Sequence, residues 1–154
     1  MIEMRTEVEV KGVSGMNISD FMLNCTDEDY QNWWPGTHLA FNTLKRFPNN
    51  LGNIVCFDEY VGKHRLKFEG IVVKSLSGKE IVWQMKKVMR LPAWLVLEFK
   101  DIEDGVVIAH TIKVGFEGIG RVLDPLLRLY LNKDFENDLE KHAHIEFTKL
   151  AEIL

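Results

Sequence analysis

The sequence predicts an α+β fold in which a curved antiparallel sheet of six to seven strands wraps around one long C-terminal helix. Three observations lead to this prediction. Residues 53–116 form a series of alternating apolar and polar segments separated by turn residues, residues 124–154 carry an apolar stripe with helical spacing, and two short helical segments follow the first strand. Because a long sheet cannot bury its concave face alone, the long helix is the element available to fill it.

Composition limits the classes of protein to consider. The chain has 154 residues, 46% of them apolar, and a net charge of -4. These values predict one globular domain spanning residues 1–154, with enough apolar residues to enclose a cavity. The basic residues are scattered, so neither a nucleic-acid surface nor a membrane-surface cluster is predicted. No apolar run reaches the ~20 residues that a membrane-spanning helix needs.

The cysteines and the first residues bear on location. Cys25 and Cys56 are isolated in sequence and lack the spacing of a metal site, which predicts free, buried thiols in a reducing compartment. Residues 1–7 are charged and contain no apolar core of a secretory signal. We therefore expect a cytoplasmic protein.

The first part of the chain predicts one strand and two short helices. Residues 3–10 alternate charged and apolar side chains, as in a half-buried strand. Ser19 is the predicted N-cap of a first helix that runs to Leu23. Thr26–Asp29 resembles a capping box that begins a second helix, and Pro35-Gly36 ends that helix.

The middle of the chain predicts the rest of the sheet. Residues 37–41 follow the second helix as either a loop or a strand. Five further strands are predicted at residues 53–61, 65–72, 81–86, 93–102 and 106–116. Asp104-Gly105, between the last two of them, is a strong signal for a two-residue hairpin turn.

The last thirty residues predict one amphipathic helix, from Asp124 to Leu154. Its apolar positions recur at steps of three and four: Leu127, Leu131, Phe135, Leu139, Ala143, Phe147 and Leu150. His142 and Glu146 are four residues apart, so they lie one turn from each other on the flank of this stripe. Such a pair is costly to bury without a use, although it is also ordinary at the boundary of a solvated face.

This order of elements resembles the helix-grip fold of the START-like and birch-pollen-allergen-like superfamily. In those proteins the sheet wraps the helix and leaves a cavity between the two, and we expect the same arrangement here. The resemblance covers the whole chain, but it concerns architecture and says little about chemistry.

Three further polar positions fall on or beside predicted apolar faces. In the strand at residues 53–61, either Asp58 or Glu59 must point to an apolar face, and the neighbours that Glu59 shares its face with are apolar. His110 lies on the apolar face of the last strand, either as a hydrogen-bonded core histidine or in a cavity wall. His38 follows the second helix, where a histidine is most often only a loop residue.

In a helix-grip fold, the segment after the short helices, a central strand and the inward face of the terminal helix all meet at one cavity. Four side chains would then converge there: His38, Glu59, His142 and Glu146. Mixed imidazole and carboxylate ligands suit zinc, with iron(II), manganese and nickel as alternatives. A bound cation would also compensate the burial of two carboxylates.

Three segments resemble the 2,4-diacetylphloroglucinol hydrolase family. Residues 30–38 resemble its Tyr-x-x-Trp-x-Pro-x-x-His segment, and residues 52–62 resemble the strand that carries a glutamate ligand. The third is His142-x-x-x-Glu146, which is similar to the pair on the terminal helix of that family. The resemblance covers the chain from Tyr30 to Leu150.

This resemblance implies a zinc ion held by His38, Glu59, His142 and Glu146, and the cleavage by water of a carbon–carbon bond between an acyl group and a phenolic ring. It also implies that Tyr30 contacts oxygens of the substrate. The characterised hydrolase has an additional N-terminal region that helps shape its substrate site and has no counterpart in these 154 residues. The resemblance therefore supports the metal site better than it supports a particular substrate.

The leading hypothesis is a small metal-dependent hydrolase acting on a phenolic or polyketide-like acyl compound. The metal would polarise the acyl carbonyl or lower the pKa of a bound water toward ~7. His110 or Tyr30 would donate a proton to the ring carbon or to a phenolic oxygen. An apolar wall for an aromatic ring would come from four residues that are otherwise plain core residues: Trp33, Trp34, Phe57 and Trp83.

Two alternatives stay open. One is a non-enzymatic carrier that holds a small hydrophobic or aromatic molecule, with or without a metal. The other is a metal-free cyclase or dehydratase of the same superfamily. Metal dependence separates these hypotheses, because a carrier should tolerate the loss of His142 whereas a metal hydrolase should lose both metal and turnover.

Overall fold

A computed structural model describes the whole chain, residues Met1–Leu154. One seven-stranded antiparallel sheet has the strand order β1-β7-β6-β5-β4-β3-β2. Its strands are β1 (Ile2–Lys11), β2 (His38–Lys45), β3 (Ile54–Val61), β4 (His64–Leu76), β5 (Glu80–Lys86), β6 (Arg90–Ile102) and β7 (Gly105–Val114). The helices are α1 (Gly15–Asn24), α2 (Asp27–Trp33), α3 (Asp124–Tyr130) and α4 (Lys133–Ile153), with 3-10 turns at Pro48–Asn50 and Gly118–Leu123. The predicted α+β helix-grip architecture is confirmed.

The connections of the sheet follow the turn signals in the sequence. Strands β3 to β7 succeed one another as hairpins, while β1 pairs with β7 and β2 pairs with β3. Strict alternation of buried and exposed residues along β1 shows why charged and apolar residues alternate there. The hairpin signalled by Asp104-Gly105 is present, but its turn lies one residue earlier than predicted, because Gly105 begins β7 and pairs with Ile102, which leaves Glu103 and Asp104 as the two loop residues. Residues 37–41, left open between loop and strand, belong mostly to β2.

The first helix begins earlier than predicted. Ser14, not Ser19, is its N-cap: Ser14 Oγ accepts a hydrogen bond from Asn17 N at 3.2 Å, and Asn17 Oδ1 accepts one from Ser14 N at 3.0 Å. Ser19 is fully buried inside the helix and its Oγ accepts a hydrogen bond from Gly78 N at 2.9 Å. The prediction of Ser19 as a cap was wrong because the capping box of Ser14 and Asn17 starts the helix five residues earlier.

The second helix starts as predicted. Thr26 Oγ1 accepts from Asp29 N and Asp29 Oδ2 accepts from Thr26 N, both at 3.1 Å, which is the reciprocal capping box. Gly36 has a φ of 79°, a left-handed conformation that favours glycine, and it turns the chain into β2. Asp27 Oδ1 accepts from Phe41 N at 2.9 Å and ties the helix to that strand.

The predicted long C-terminal helix is two helices. The break falls at Leu131 and Asn132, where Asn132 Oδ1 accepts a hydrogen bond from Phe135 N at 2.9 Å and so caps α4. Asparagine favours caps because its side chain competes for nearby backbone groups. The buried part of the stripe starts only at Phe135, and α3 has no buried residue.

The core lies between the sheet and the helices α1, α2 and α4. The larger apolar cluster includes Trp33, Phe57, Trp83 and Phe147, and a smaller one consists of Met4, Val61, Phe135 and Leu139. No helix is both long and apolar enough to span a membrane. The sheet face between the two clusters is where the functional side chains meet.

Candidate metal centre and adjoining cavity

Three elements deliver the four predicted ligand side chains to one place. His38 begins β2 and pairs with Glu59 of β3 in the strand ladder, so these two residues are side by side. His142 and Glu146 lie on the buried face of α4. Asp58 points to the opposite face, where both carboxylate oxygens accept hydrogen bonds from Arg65 at 2.9 Å. Glu59 is therefore the acid that points to the apolar side.

The four side chains form a compact cluster. One ligand atom from each lies within 4.8 Å of those of the other three. His38 Nε2 lies 3.3 Å from Glu146 Oε1 and 3.8 Å from Glu59 Oε2. His142 Nε2 lies 3.2 Å from Glu59 Oε2 and 3.8 Å from Glu146 Oε2. Each imidazole therefore faces both carboxylates.

His38 is held in one orientation by its neighbours. Its Nδ1 lies 3.2 Å from the carbonyl oxygen of Tyr30 and donates to it, because a carbonyl can only accept. The Tyr30 ring stacks on the imidazole at 3.8 Å and Trp33 packs edge-on at 4.6 Å. Protonation of Nδ1 leaves the lone pair on Nε2, the atom that points to the cluster.

The donor set fits a divalent cation such as zinc. His38 Nε2 is buried and has no hydrogen-bond partner, which is unfavourable unless something else occupies its lone pair. Four ligands about 2.1 Å from a tetrahedral zinc lie about 3.4 Å from one another. The four separations between a histidine nitrogen and a carboxylate oxygen, 3.2 to 3.8 Å, are close to that value, and the whole set of ligand atoms lies within 4.8 Å. Two histidines and two carboxylates are ligand types that zinc accepts.

The backbone of α4 is tied to the same cluster. Trp33 Nε1 donates a hydrogen bond to the carbonyl oxygen of Glu146 at 2.6 Å. Trp34 lies over His142 with ring centroids 4.8 Å apart. Trp33 at the end of α2 and Trp34 directly after it therefore position His142 and Glu146, the two candidate ligands on α4.

The members of the cluster shift one another's pKa. Burial alone would raise the pKa of Glu146, but the neighbouring His38, His142 and His110 bring that pKa below its ordinary value. Burial alone would lower the pKa of His142, but the hydrogen bond to Glu59 and the carboxylate charges raise it. In both residues the effect of the neighbouring side chains on the pKa exceeds the opposite effect of burial.

Tyr30 and His110, the two predicted proton donors, adjoin the cluster. The Tyr30 hydroxyl donates to Glu59 Oε2 at 2.9 Å, and burial together with the nearby carboxylates raises the pKa of this phenol well above its ordinary value. Burial lowers the pKa of His110, whose Nδ1 has no hydrogen-bond partner. At neutral pH the phenol is therefore protonated and the imidazole of His110 is neutral.

A cavity of about 170 Å³ adjoins the cluster. Its polar side chains all lie on the cluster side: Tyr30, Glu59, His110, His142 and Glu146. The remaining lining is apolar and comes from the sheet, α1, α4 and Leu131. Since an apolar cavity of about 150 Å³ can hold benzene, this space suits one ring or one short chain.

The aromatic residues predicted to line the cavity have different positions. Phe57 lines it. Trp83 is fully buried and packs edge-on against Phe57 at 5.9 Å, while Trp33 is buried in the same core cluster. Trp34 borders a separate polar pocket on the other side of His142, together with Lys141. Of the four predicted aromatic residues, only Phe57 therefore contacts the cavity. Trp33 and Trp83 pack in the core, and Trp34 lines a different pocket.

Several lining residues were not predicted from the sequence as ligand contacts. They are Met22, Val61, Leu66, Phe68, Met85, Ala93, Trp94, Leu95, Leu97, Ile112, Leu131, Phe135, Leu139 and Phe147. The helical stripe already marked Leu131, Phe135 and Leu139 as inward-facing, and that signal could have placed them. The polar pocket behind His142 also includes Asp138. The only sequence signal for this pocket is that Asp138 precedes His142 by four residues.

Comparison with known proteins shows which fold this chain shares. No protein-family model matches the chain, and no curated protein matches it in sequence. The structure is similar to a ginseng major latex-like protein from Panax ginseng (TM-score 0.59, 11% identity, 92% of this chain and 96% of that chain covered). It is also similar to a START superfamily protein from Mycobacterium smegmatis (TM-score 0.56, 14% identity, 91% and 95% covered).

A third similar structure is the Aha1 dimer from Colwellia psychrerythraea, with a TM-score of 0.55, 16% identity, and 97% of this chain and 99% of that chain covered. Together with the seven-stranded sheet and the C-terminal helix, these similarities define a START-like helix-grip fold. At such identities they concern the fold alone, so the similarity to 2,4-diacetylphloroglucinol hydrolases still rests on the sequence segments and on the site.

Proposed function

We propose that this protein is a metal-dependent hydrolase, with zinc held by His38, Glu59, His142 and Glu146, that acts on a phenolic or polyketide-like acyl compound. The observation that carries the proposal is the buried Nε2 of His38. It has no hydrogen-bond partner and faces two carboxylates at the end of an apolar cavity. Because four protein ligands fill a tetrahedral zinc, the metal would have to accept a fifth ligand during the reaction. It would then supply Lewis acidity, which polarises a carbonyl oxygen and lowers the pKa of water.

The cavity determines how a substrate lies. All of its polar groups are on the cluster side, so an acyl carbonyl would face the His/Glu cluster and an apolar ring would contact Phe57, Phe147 and the other apolar walls. The volume of about 170 Å³ favours a single substituted ring. A substrate ring held by these walls would keep its bond to the acyl group next to the cluster.

We assign the transfer of the proton in this reaction to Tyr30 or His110. In the proposed reaction the bond between the acyl carbon and the ring carbon breaks, the acyl carbon gains the hydroxyl of water, and the ring carbon gains a proton. The products are a carboxylic acid and the deacylated phenol. Tyr30 is protonated and lies beside Glu59, and His110 presents a bare Nδ1, so either residue can carry the proton.

Metal analysis of the purified protein tests this proposal. Elemental mass spectrometry is run on the wild type and on the variants His38→Ala and Glu146→Ala, after zinc is offered to each. His144→Ala is the matched control, because His144 lies on the same helix but is exposed. We expect near-stoichiometric zinc in the wild type and the control, and little zinc in the other two.

Turnover of acylphenols is then measured by chromatographic detection of the released carboxylic acid. We expect release by the wild type and by His144→Ala, and none by His38→Ala. A wild type that takes up no metal when zinc is supplied would refute the proposed hydrolase.

A carrier of a small hydrophobic molecule is the second candidate, favoured by the predominantly apolar lining of the cavity. His142→Ala distinguishes the two functions. A carrier should bind a fluorescent apolar probe with nearly unchanged affinity after this substitution and should release no product from acylphenols. A hydrolase should lose its zinc and its turnover.

A further inference from the structure

Two exposed apolar segments are not explained by the fold or by the proposed site. The first is the loop Lys87–Met89 between β5 and β6, where Val88 is 95% exposed and Met89 is 70% exposed. Loop tips are ordinarily polar, and here Lys87 N donates to Met89 O at 3.0 Å, which closes a tight turn that presents the two side chains to solvent.

The second segment is the 3-10 turn Gly118–Leu123 followed by α3. Ile119 is 92% exposed, Tyr130 is 82% exposed, and four further apolar residues between them are exposed: Val122, Leu123, Leu126 and Leu129. No residue of α3 is buried, so this helix contributes no apolar face to the core. Exposed apolar groups at this density indicate an interaction surface.

The topology brings these segments to one end of the sheet. Ala93 near the start of β6 pairs with Val114 at the end of β7, and Gly115 N donates to Pro92 O at 2.9 Å. The loop before β6 and the chain after β7 therefore leave the sheet side by side. We call residues 87–90 and 118–130 together the apolar rim.

The apolar rim adjoins the cavity. Met85, Trp94 and Leu131 flank its two segments in sequence, line the cavity and are only half-buried, whereas deeper lining residues such as Phe57 and Phe147 are buried. The cavity thus approaches solvent beside the rim. A hydrophobic molecule that enters or leaves the cavity there passes between the exposed apolar side chains.

The apolar rim carries more positive than negative charge, and its cations have no ion-pair partner. Lys87, Arg90, Arg121 and Arg128 are exposed, and no carboxylate lies within ion-pair distance of any of them. The only acid within the rim is Asp124, whose Oδ1 accepts a hydrogen bond from Phe116 N at 3.1 Å. This local excess of cations contrasts with the net charge of -4 of the whole chain. It was not predicted from the scattered basic residues, because it combines two segments that are far apart in sequence.

We infer that the apolar rim docks on the surface of an anionic lipid bilayer, with Val88, Met89 and Ile119 inserted among the lipids and the four cations contacting the headgroups. Exposed apolar side chains flanked by lysine and arginine are the combination that binds such surfaces. A symmetric pair of these chains joined through the rim would instead place like charges opposite one another, since a two-fold interface matches a patch with itself. The inference does not depend on the metal or on turnover.

Vesicle flotation of the full chain tests the inference, with phosphatidylcholine vesicles that contain or lack phosphatidylserine. We expect binding to the anionic vesicles, weaker binding to the neutral ones, and release of the anionic vesicles at high salt. Each of Arg121→Gln and Arg128→Gln removes one cation and should weaken binding about 5-fold. The double substitution Val88→Asp with Met89→Asp should reduce it further by removing the inserted side chains.

Leu44→Asp is the matched control, because Leu44 is 57% exposed on β2, outside the apolar rim. All of the substituted side chains are exposed, and circular dichroism checks that each variant keeps the fold. Absence of binding to anionic vesicles, or equal binding by all variants, would overturn the inference. So would a wild-type dimer that the Val88→Asp, Met89→Asp variant dissociates, since the rim would then be an interface between two copies.

Discussion

At the scale of single residues, His38 shows how a buried polar atom acquires a function. Its Nδ1 donates a hydrogen bond to the Tyr30 carbonyl, and its ring packs against Tyr30 and Trp33. Only Nε2 has no hydrogen-bond partner. The free energy cost of that unpaired nitrogen is recovered if Nε2 binds a cation. The residues around His38 therefore matter as much for the proposed site as the ligands themselves.

The substitution Tyr30→Phe separates proton donation from metal binding. It removes the hydroxyl that donates to Glu59 but keeps the ring that stacks on His38. We expect zinc content to stay near that of the wild type while acylphenol turnover falls about 10²- to 10⁴-fold, the usual contribution of a general acid or base. Elemental analysis and a rate assay on the same preparation measure both quantities.

Tyr130→Phe is the control for this substitution, because Tyr130 is 82% exposed and lies outside the cavity lining. Undiminished turnover in Tyr30→Phe would remove Tyr30 from the proposed proton transfer. Loss of zinc would instead mean that the hydroxyl mainly supports the position of Glu59.

At the scale of elements, α4 combines two functions on one face. Phe135, Leu139, Ala143, Phe147 and Leu150 bury it against the sheet, while His142 and Glu146 lie at the edge of the same stripe. Because both sets share one rigid helix, the packing of the stripe determines the position of the two proposed ligands.

Truncation of the stripe should therefore affect stability strongly. Leu150 is fully buried at the end of the helix, and Leu150→Ala should lower the free energy of unfolding by about 2–5 kcal/mol because it leaves a cavity. Ile153, one turn further and 48% exposed, provides the comparison, and Ile153→Ala should change stability by no more than about 0.5 kcal/mol. Urea unfolding measures both, and similar values for the two variants would argue against the observed packing of α4.

At the scale of the whole molecule, the proposed metal links α4, β2 and β3. His38 and Glu59 belong to one edge of the sheet, while His142 and Glu146 belong to the helix that packs over it. A ligand that bridges separate elements binds the folded chain and not the unfolded one. Its binding free energy is then added to the stability of the fold.

Zinc should consequently raise the melting temperature. At a free concentration 100 times the dissociation constant, binding contributes about 2.7 kcal/mol, which for a chain of this size corresponds to an increase of several degrees. The effect should disappear in His38→Ala, and it should weaken as pH falls because protonated histidines cannot bind metal. Scanning calorimetry with and without chelator measures it, and an equal zinc effect in His38→Ala would contradict the four-ligand site.

Much of the fold and of the proposed ligand set could be predicted without the structure. Alternation in residues 3–10 and the Thr26 capping box are local patterns that the structure confirms. The hairpin signalled by Asp104-Gly105 is also present, with its turn one residue earlier. The structure also brings His38, Glu59, His142 and Glu146 together, as expected from the helix-grip order of elements. Whether they bind a metal stays a prediction.

Other features followed from contacts distant in sequence. Ser19 lies inside the first helix, where its hydroxyl accepts a hydrogen bond from Gly78, and Asn132 interrupts an apolar pattern that alone predicts an unbroken helix. Trp83 shares the apolar character of Phe57 but lies behind it, outside the cavity. Composition along the chain cannot distinguish a residue that fills the core from one that lines a space.

The sequence by itself therefore determined the class of fold, the faces of its strands and helix, and the candidate ligands, because local periodicity and turn chemistry depend on residues close in the chain. Only the tertiary structure decided which apolar residues enclose the cavity, and that residues 87–90 and 118–130 leave the same end of the sheet. These features depend on packing between elements far apart in sequence. No local pattern records such packing.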